Sequence, residues 1–413
     1  MLFAFGCGDD EAFTPKPDGG TADALPAPPP PPAPPPAPMP NDGGPVCGDS
    51  TGAPARLLAT LNRAADSEMI AFNLGTNVVD DRYKFPSKLG ATASVGMTNP
   101  YLLESSTDVV VKMDPKQPWK PIAAWDVSGA DGKPDGGAAE PIAVAVPDCK
   151  KGYVVRATRN AIAVIDTTIA NFEKPTPASA YIDLKAQLQA DDHDGTVEAT
   201  SVIAVPSKNR IYVLLGNFDH TTVAKDGFTA LCTNAAPAIV AIDTTTDQIV
   251  SLGGTGPGGS ILLGGYNPTF GTPFWYDPAL DRFLVLSAGC NLDAGGGVAG
   301  AVSRRRIEEV QLGSGQVKTL LDLNNADFPS ALVFVDGSRA VLTAVDEITF
   351  APKAFFWNPQ STTLGAEIPI PFAYAAYDGK GNVVGPFATT VDGGPGFAIG
   401  SVPLTDGGAV DAA

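Results

Sequence analysis

The stretch Ala238 to Gly253, AIVAIDTTTDQIVSLG, has an imperfect copy earlier in the chain, AIAVIDTTIANFEK, beginning at Ala161. Repetition constrains this chain more than any catalytic motif does. A sequence that reuses one short supersecondary unit buries its apolar surface by stacking copies, so its length no longer counts domains in the usual way. Beyond residue 55 the same phrase recurs: an apolar stretch, a turn of Asp, Gly, Asn or Lys, a second apolar stretch, then often a third ending in Asp or Asn. Seven copies can be anchored on their second stretches, at Leu58, Leu102, Val154, Val213, Leu284, Val341 and Val384. Their spacing, roughly forty to seventy residues, suits four short strands with turns and variable insertions.

The turns point to strands. Pro206-Ser-Lys-Asn, Asp277-Pro-Ala-Leu-Asp, Asp336-Gly-Ser and Asp378-Gly-Lys-Gly are chain-reversing compositions, flanked by segments rich in Val, Ile, Tyr, Phe and Thr. Helix is expected to be a minor component; the best candidate is Ile182 to Ala190, IDLKAQLQA, as a helix or only a turn or two. Seven units of four strands predict an all-β fold, a β-propeller over 55–413, with six blades and a partial seventh as the alternative. Repeat 1 enters at its second strand, so its innermost strand must come from elsewhere, and Gly407 to Ala413 is a poor strand. The phrases AIAVIDTT and AIVAIDTTTDQIV, with RIYVLLGN upstream and the more diverged MIAFNLGTNVV at Met69, resemble the YVTN-type propeller repeat. That resemblance implies the fold and is nearly silent on activity, since the family includes surface-layer, adhesion-like and enzymatic members.

The N-terminal part is different. Residues 1–7, MLFAFGC, resemble the end of a bacterial lipoprotein signal peptide, in which an apolar run and a small residue precede the cysteine that receives lipid. Cys7 is therefore the expected lipidation site, with the start codon placed late; a free thiol is the alternative. Residues 8–54 are acidic and then proline-rich, and the prolines of 26–40 predict a stiff, disordered-type spacer of polyproline II character, ~3.1 Å per residue. No apolar run approaches the ~20 residues of a membrane span. With 27 Lys plus Arg against 45 Asp plus Glu, a net charge of -18, the surface repels phosphate backbones, so nucleic acid is not an expected partner. The Arg304–Arg306 run reads as the solvated start of a strand.

In a four-stranded blade the second-to-third loop and the exit to the next blade share one face of the disc. On that face fall the acidic connection 190–195 (ADDHDG), the insertion 217–237 and the insertion 289–303. Long loops on a rigid scaffold are where binding concentrates, so Asp191, Asp192, His193, Asp194, Asp219 and His220 are the candidate ligand-facing residues. Cys232 and Cys290 lie in two of those insertions and are expected to pair. Of the three pairings open to four cysteines, the accompanying one is Cys47 with Cys149, which would fix the tether. Disulfides belong to an oxidising, extracytoplasmic compartment.

Only two histidines occur, which excludes a multi-histidine metal centre. No cofactor is expected beyond a candidate Ca2+ at Asp192 and Asp194, whose run lacks the distal ligand of a full calcium loop. No nucleophile elbow, phosphate loop or zinc-protease motif is present. Three function classes stay open. The first is a lipid-anchored binding or interaction module at the outer membrane or cell surface. It would be monomeric, touch the membrane only through its lipid, and have an envelope protein or a glycan as partner. The second is a lactonase-like hydrolase with axial carboxylates such as Glu104, Asp108 and Glu198 and a divalent cation. The third is a surface-layer scaffold.

Overall fold

The structure is a computed structural model. It describes residues 56–404 except 63–66, 77, 86–90, 97–98, 130–137, 224–230, 269–273, 293–301, 350, 369–374, 379 and 392–393. The lipidation site Cys7, the linker 8–54, Cys47 and the terminal segment from Gly407 lie outside the described residues.

Seven blade sheets follow one another along the chain, with a further two-stranded ribbon of Cys290–Asn291 and Val302–Ser303, and the fold is a seven-bladed β-propeller. The blade strands pair antiparallel; Thr176–Pro177 adds a short parallel strand to blade 2 and Ile261–Leu262 a fifth strand to blade 4. Blade 1 is built from Arg56–Asn62, Ser67–Asn73 and Val78–Phe85, and blade 2 from Ala91–Gly96, Asn99–Glu104, Val109–Met113 and Pro121–Asp126. Blade 3 comprises Pro141–Ala145, Lys151–Arg156, Ala161–Asp166 and Ala180–Asp183. In blade 4 the strands are Ala199–Val205, Arg210–Leu215, Ala238–Asp243 and Gln248–Val250. Blades 5 and 6 also have four strands each, starting at Phe274 and Phe328, and blade 7 has three, starting at Ala376. Blades 1 and 7 thus fall short of the expected four strands among the described residues. Leu58 lies at the edge of blade 1, paired on one side only, with Ala71.

The two copies of the repeated phrase are the third strands of blades 3 and 4. Their apolar runs have no polar alternation because both faces of each strand are covered. Side chains of a strand alternate between faces, so Ile162 and Val164 join one cluster while Ala163 and Ile165 join another. In blade 4, Ile211, Val213, Ala238 and Val240 pack toward blade 3, and Tyr212, Leu214, Ile239 and Ala241 toward blade 5. Each strand then ends in a side-chain-capped turn: Asp243 Oδ1 accepts from the backbone N–H of Thr245 at 2.8 Å and Thr246 at 3.0 Å. Asp166 does the same for Thr168 at 2.9 Å.

The helical candidate at Ile182 to Ala190 is the end of a strand followed by a single 3-10 turn, Lys185–Gln187. Its apolar positions are consumed by the sheet: Ile182 pairs with Ile162 and joins the core between blades 3 and 4. The aromatic segments at Trp275 and Phe355–Trp357 pack between blades. Trp275 stacks on Phe334 of blade 6 with ring centroids 4.1 Å apart.

Buried ions are rarer. Arg282 opens the second strand of blade 5 and is held between Asp277 Oδ2 at 3.1 Å and Glu309 Oε2 at 2.7 Å. Burial opposes the charge on Glu309, but hydrogen bonds from Gln311 and Arg282 outweigh it and keep the carboxyl below its ordinary 4.5. The stabilisation it provides is therefore present above about pH 4.5 and is lost as pH falls through the depressed folded value. Arg282→Met should strand two acids and destabilise the domain by about 3 kcal/mol. Chemical denaturation across pH 3–7 is expected to show this loss shrinking on the acid side; an unchanged melting profile would refute the role given to Arg282.

Candidate functional site

Strands in a blade run antiparallel, so the connection into the first strand and the connection from second to third emerge on the same face. The connection 184–198 enters blade 4, the insertion 216–237 leaves its second strand, and 288–305 leaves the second strand of blade 5. The structure brings these three segments into contact.

The base of the site is a repeated backbone joint. Glu140, Glu198 and Asn267 immediately precede the inner positions of blades 3, 4 and 5 and have left-handed φ of 55°, 37° and 51°. Each carbonyl accepts from the residue just past the second strand of its own blade: Ala157 at 3.0 Å, Gly216 at 2.8 Å and Ala288 at 2.9 Å. Such φ values disfavour any residue with a Cβ. In blade 4 the joint turns the Glu198 side chain into the protein interior, where it is buried.

Around Glu198 lie three more carboxylates and both histidines. Glu198 Oε2 accepts from Phe218 N–H at 2.7 Å, whereas Oε1 is buried without a hydrogen-bond partner and stands 3.9 Å from His220 Nε2. Asp194 is clamped by Thr196 N–H and by His220 N–H, both at 2.8 Å. Asp219 accepts from Thr221 N–H at 2.9 Å, Thr222 Oγ1 at 2.8 Å and His193 Nδ1 at 2.9 Å. Asp192 is buried, and neither of its carboxylate oxygens has a partner. Asp191 is exposed at the rim.

The charges respond to these surroundings. Burial, reinforced by Asp194, pushes Glu198 up to about 9, and burial with repulsion from Asp194 and Asp219 pushes Asp192 up to about 7. Burial also works against Asp219, but hydrogen bonds from Thr221, His193 and Thr222 outweigh it and hold this carboxyl well below the usual range. The Asp219 hydrogen bond in turn raises His193.

Asp194, Glu198 and His220 each offer one ligand atom, all within 4.8 Å of one another. This set differs from the Asp192 and Asp194 pair of the sequence reading: Glu198 and His220 come from different connections, and only the joint and the insertion bring them together. The axial grouping of Glu104, Asp108 and Glu198 does not form around shared contacts. Asp108 caps Ala139 N–H at 2.7 Å and Glu140 N–H at 3.1 Å, and Glu104 accepts from Thr107 Oγ1 at 2.9 Å.

The insertions are locked to each other. Cys232 and Cys290 form the expected disulfide, and Cys232 N–H donates to Asn291 O at 3.0 Å. Cys149 is also disulfide-bonded; Cys47, its expected partner, is outside the described residues. Cys290 packs with Tyr266, Phe218 and Cys232, and the Phe218 ring meets the His220 imidazole edge-on at 4.6 Å.

The arginine run only partly fits the reading of a solvated strand start: Arg306 opens the strand Arg306–Gln311 and is half-buried, whereas Arg304 and Arg305 are engaged by the protein. Arg304 lies over the Tyr266 ring at 4.9 Å and donates to Thr233 O at 3.0 Å. Arg305 is 3% exposed, donates to Ala288 O at 2.8 Å and pairs with Glu347 of blade 6 at 2.5 Å. Consecutive arginines serve here as bridges between blades, because a guanidinium can satisfy several carbonyls at once.

The class defined by this geometry is a seven-bladed propeller with one elaborated sector. No protein-family model matches the sequence, and no curated protein matches it. Among solved structures the chain is similar to the Kuenenia stuttgartiensis hydrazine synthase, with 13% identity and a TM-score of 0.55, over 89% of this chain and 99% of that one. It is also similar to the Myceliophteria thermophila Cps50 (Swd1) β-propeller domain, with 12% identity and a TM-score of 0.49, over 84% and 96%. At such identities the likeness is one of fold.

The Cys232–Cys290 bridge closes a separation of 58 residues. A Cys232→Ser, Cys290→Ser double variant is expected to lose about 3 kcal/mol of stability. Hydrogen exchange should show protection lost first at 217–223 and 288–292; uniform loss across all blades, or none, would contradict a sector-specific role.

Proposed function

We propose that this protein is an extracytoplasmic, lipid-anchored propeller of the YVTN-repeat type that works as a binding module at the cell envelope. Its elaborated sector is the binding surface, and its partner is an envelope protein or glycan. The observation that carries the reading is the joining of three separate connections on one face by hydrogen bonds, aromatic contacts and a disulfide. Loops that served only to join strands would have no use for such mutual fixation, whereas a pre-organised surface binds with less ordering cost. The disulfide suits an oxidising compartment, and the Gly6-Cys7 pattern supplies the anchor.

The test places a photo-crosslinking residue at Asp191, on the elaborated face, or at Thr245, in an exposed turn of blade 4 on the opposite face. In intact cells an adduct from position 191 and none from 245 is expected. The same adducts from both, or none from either, would overturn the assignment. Membrane retention should be abolished by Cys7→Ser if the lipid is the anchor.

A further inference from the structure

We propose that Asp194, Glu198 and His220 form a binding site for a divalent transition-metal ion of the zinc class, bridging the two connections on the elaborated face of blade 4. This inference does not depend on the binding-module reading.

Its first support is the donor set. One imidazole nitrogen and two carboxylate oxygens within 4.8 Å of one another match the ligand types and number of an open zinc site, which uses three protein ligands and leaves a position for water. Tetrahedral coordination places ligand atoms about 3.3 Å apart. The 3.9 Å between His220 Nε2 and Glu198 Oε1 is already close to that. A nitrogen donor among so few oxygens disfavours Ca2+, which takes six to eight oxygens.

The second support is independent of the cluster's composition. Glu198 Oε1 is buried, has no hydrogen-bond partner and faces His220; its side chain is 9% exposed. Both oxygens of the neighbouring Asp192 are likewise buried and unpartnered. A buried carboxylate oxygen without a donor is costly. Among the described residues no Lys or Arg pairs with Asp192, Asp194 or Glu198, and the group beside Glu198 Oε1 is the His220 imidazole, itself one of the three ligands.

The third support is orientation. Ligating groups in metal sites are held by outer hydrogen bonds, and here Thr196 and His220 N–H fix Asp194, Phe218 N–H fixes Glu198, and the Phe218 ring flanks the imidazole.

The experiment uses the full chain with Cys7→Ser, so that the terminal thiol does not compete. After chelator treatment, titration calorimetry with Zn2+ is expected to give about one equivalent per chain, with Ca2+ binding at least tenfold more weakly. Co2+ should give the visible d–d bands of a site with a nitrogen donor. The isosteric Glu198→Gln and the variant His220→Gln should each weaken Zn2+ binding at least tenfold, and His220→Gln should shift the Co2+ spectrum. Far-UV circular dichroism checks the folding of each variant. Absence of stoichiometric Zn2+ uptake and of a Co2+ spectrum in the parent chain would overturn the proposal without reference to any variant. Ca2+ binding as tightly as Zn2+, or folded variants binding like the parent, would also overturn it.

Discussion

The structure depends on burying both faces of the inner strands of its blades against neighbouring blades. Its apolar residues form clusters between adjacent blades, from blades 1 and 2 through blades 6 and 7. No single centre collects them. Blades 2–6 each contribute alternate residues of the same strand to two cores, so their stability is borrowed from both sides, much as in other repeat architectures. The arrangement leaves the strand ends free of the packing problem, and polar elaboration can accumulate there.

What accumulates over blade 4 is a concentration of negative charge that water does not fully solvate. The acids meet it in different ways. Asp219 and Asp194 are surrounded by donors, whereas Asp192 and one oxygen of Glu198 are not. This division separates carboxylates used to shape the loops from carboxylates with coordination capacity to spare. The disulfide, Tyr266 and Phe218 form an apolar floor beneath His220, so the covalent staple and the charged cluster belong to one continuous structure.

Much of the fold was legible because repetition and turn chemistry are local. The second strands of blades 2–7, the loop assignments and the Cys232–Cys290 pair all follow from the spacing of apolar stretches. The signal was right only in part at Ile182 to Ala190, where strand pairing takes Ile182 and leaves a single 3-10 turn, and at the arginine run, where Arg306 opens a strand but Arg305 is buried against carbonyls and Glu347 of the next blade. The site was legible only in part. His220 and Asp194 stood out as rare or clustered residues, whereas Glu198 was grouped with Glu104 and Asp108 as an axial carboxylate and not with that pair. Its role depends on a left-handed backbone and an unpaired oxygen, neither of which has a sequence signature for a residue that is not glycine. A comparison of Glu140-Pro141, Glu198-Ala199 and Asn267-Pro268 would have been the available hint, since all three begin equivalent positions.

The recurring joint at those positions also has an evolutionary side. Its carbonyl anchors the entry of a blade to the exit of that blade's own second strand, so the path of the incoming chain is reset before the sheet begins. Whatever precedes the joint is mechanically insulated from the register that follows. Connections on one face can therefore be lengthened, shortened or exchanged while the ring remains untouched, and the acidic connection before blade 4 is placed where such a change would be tolerated.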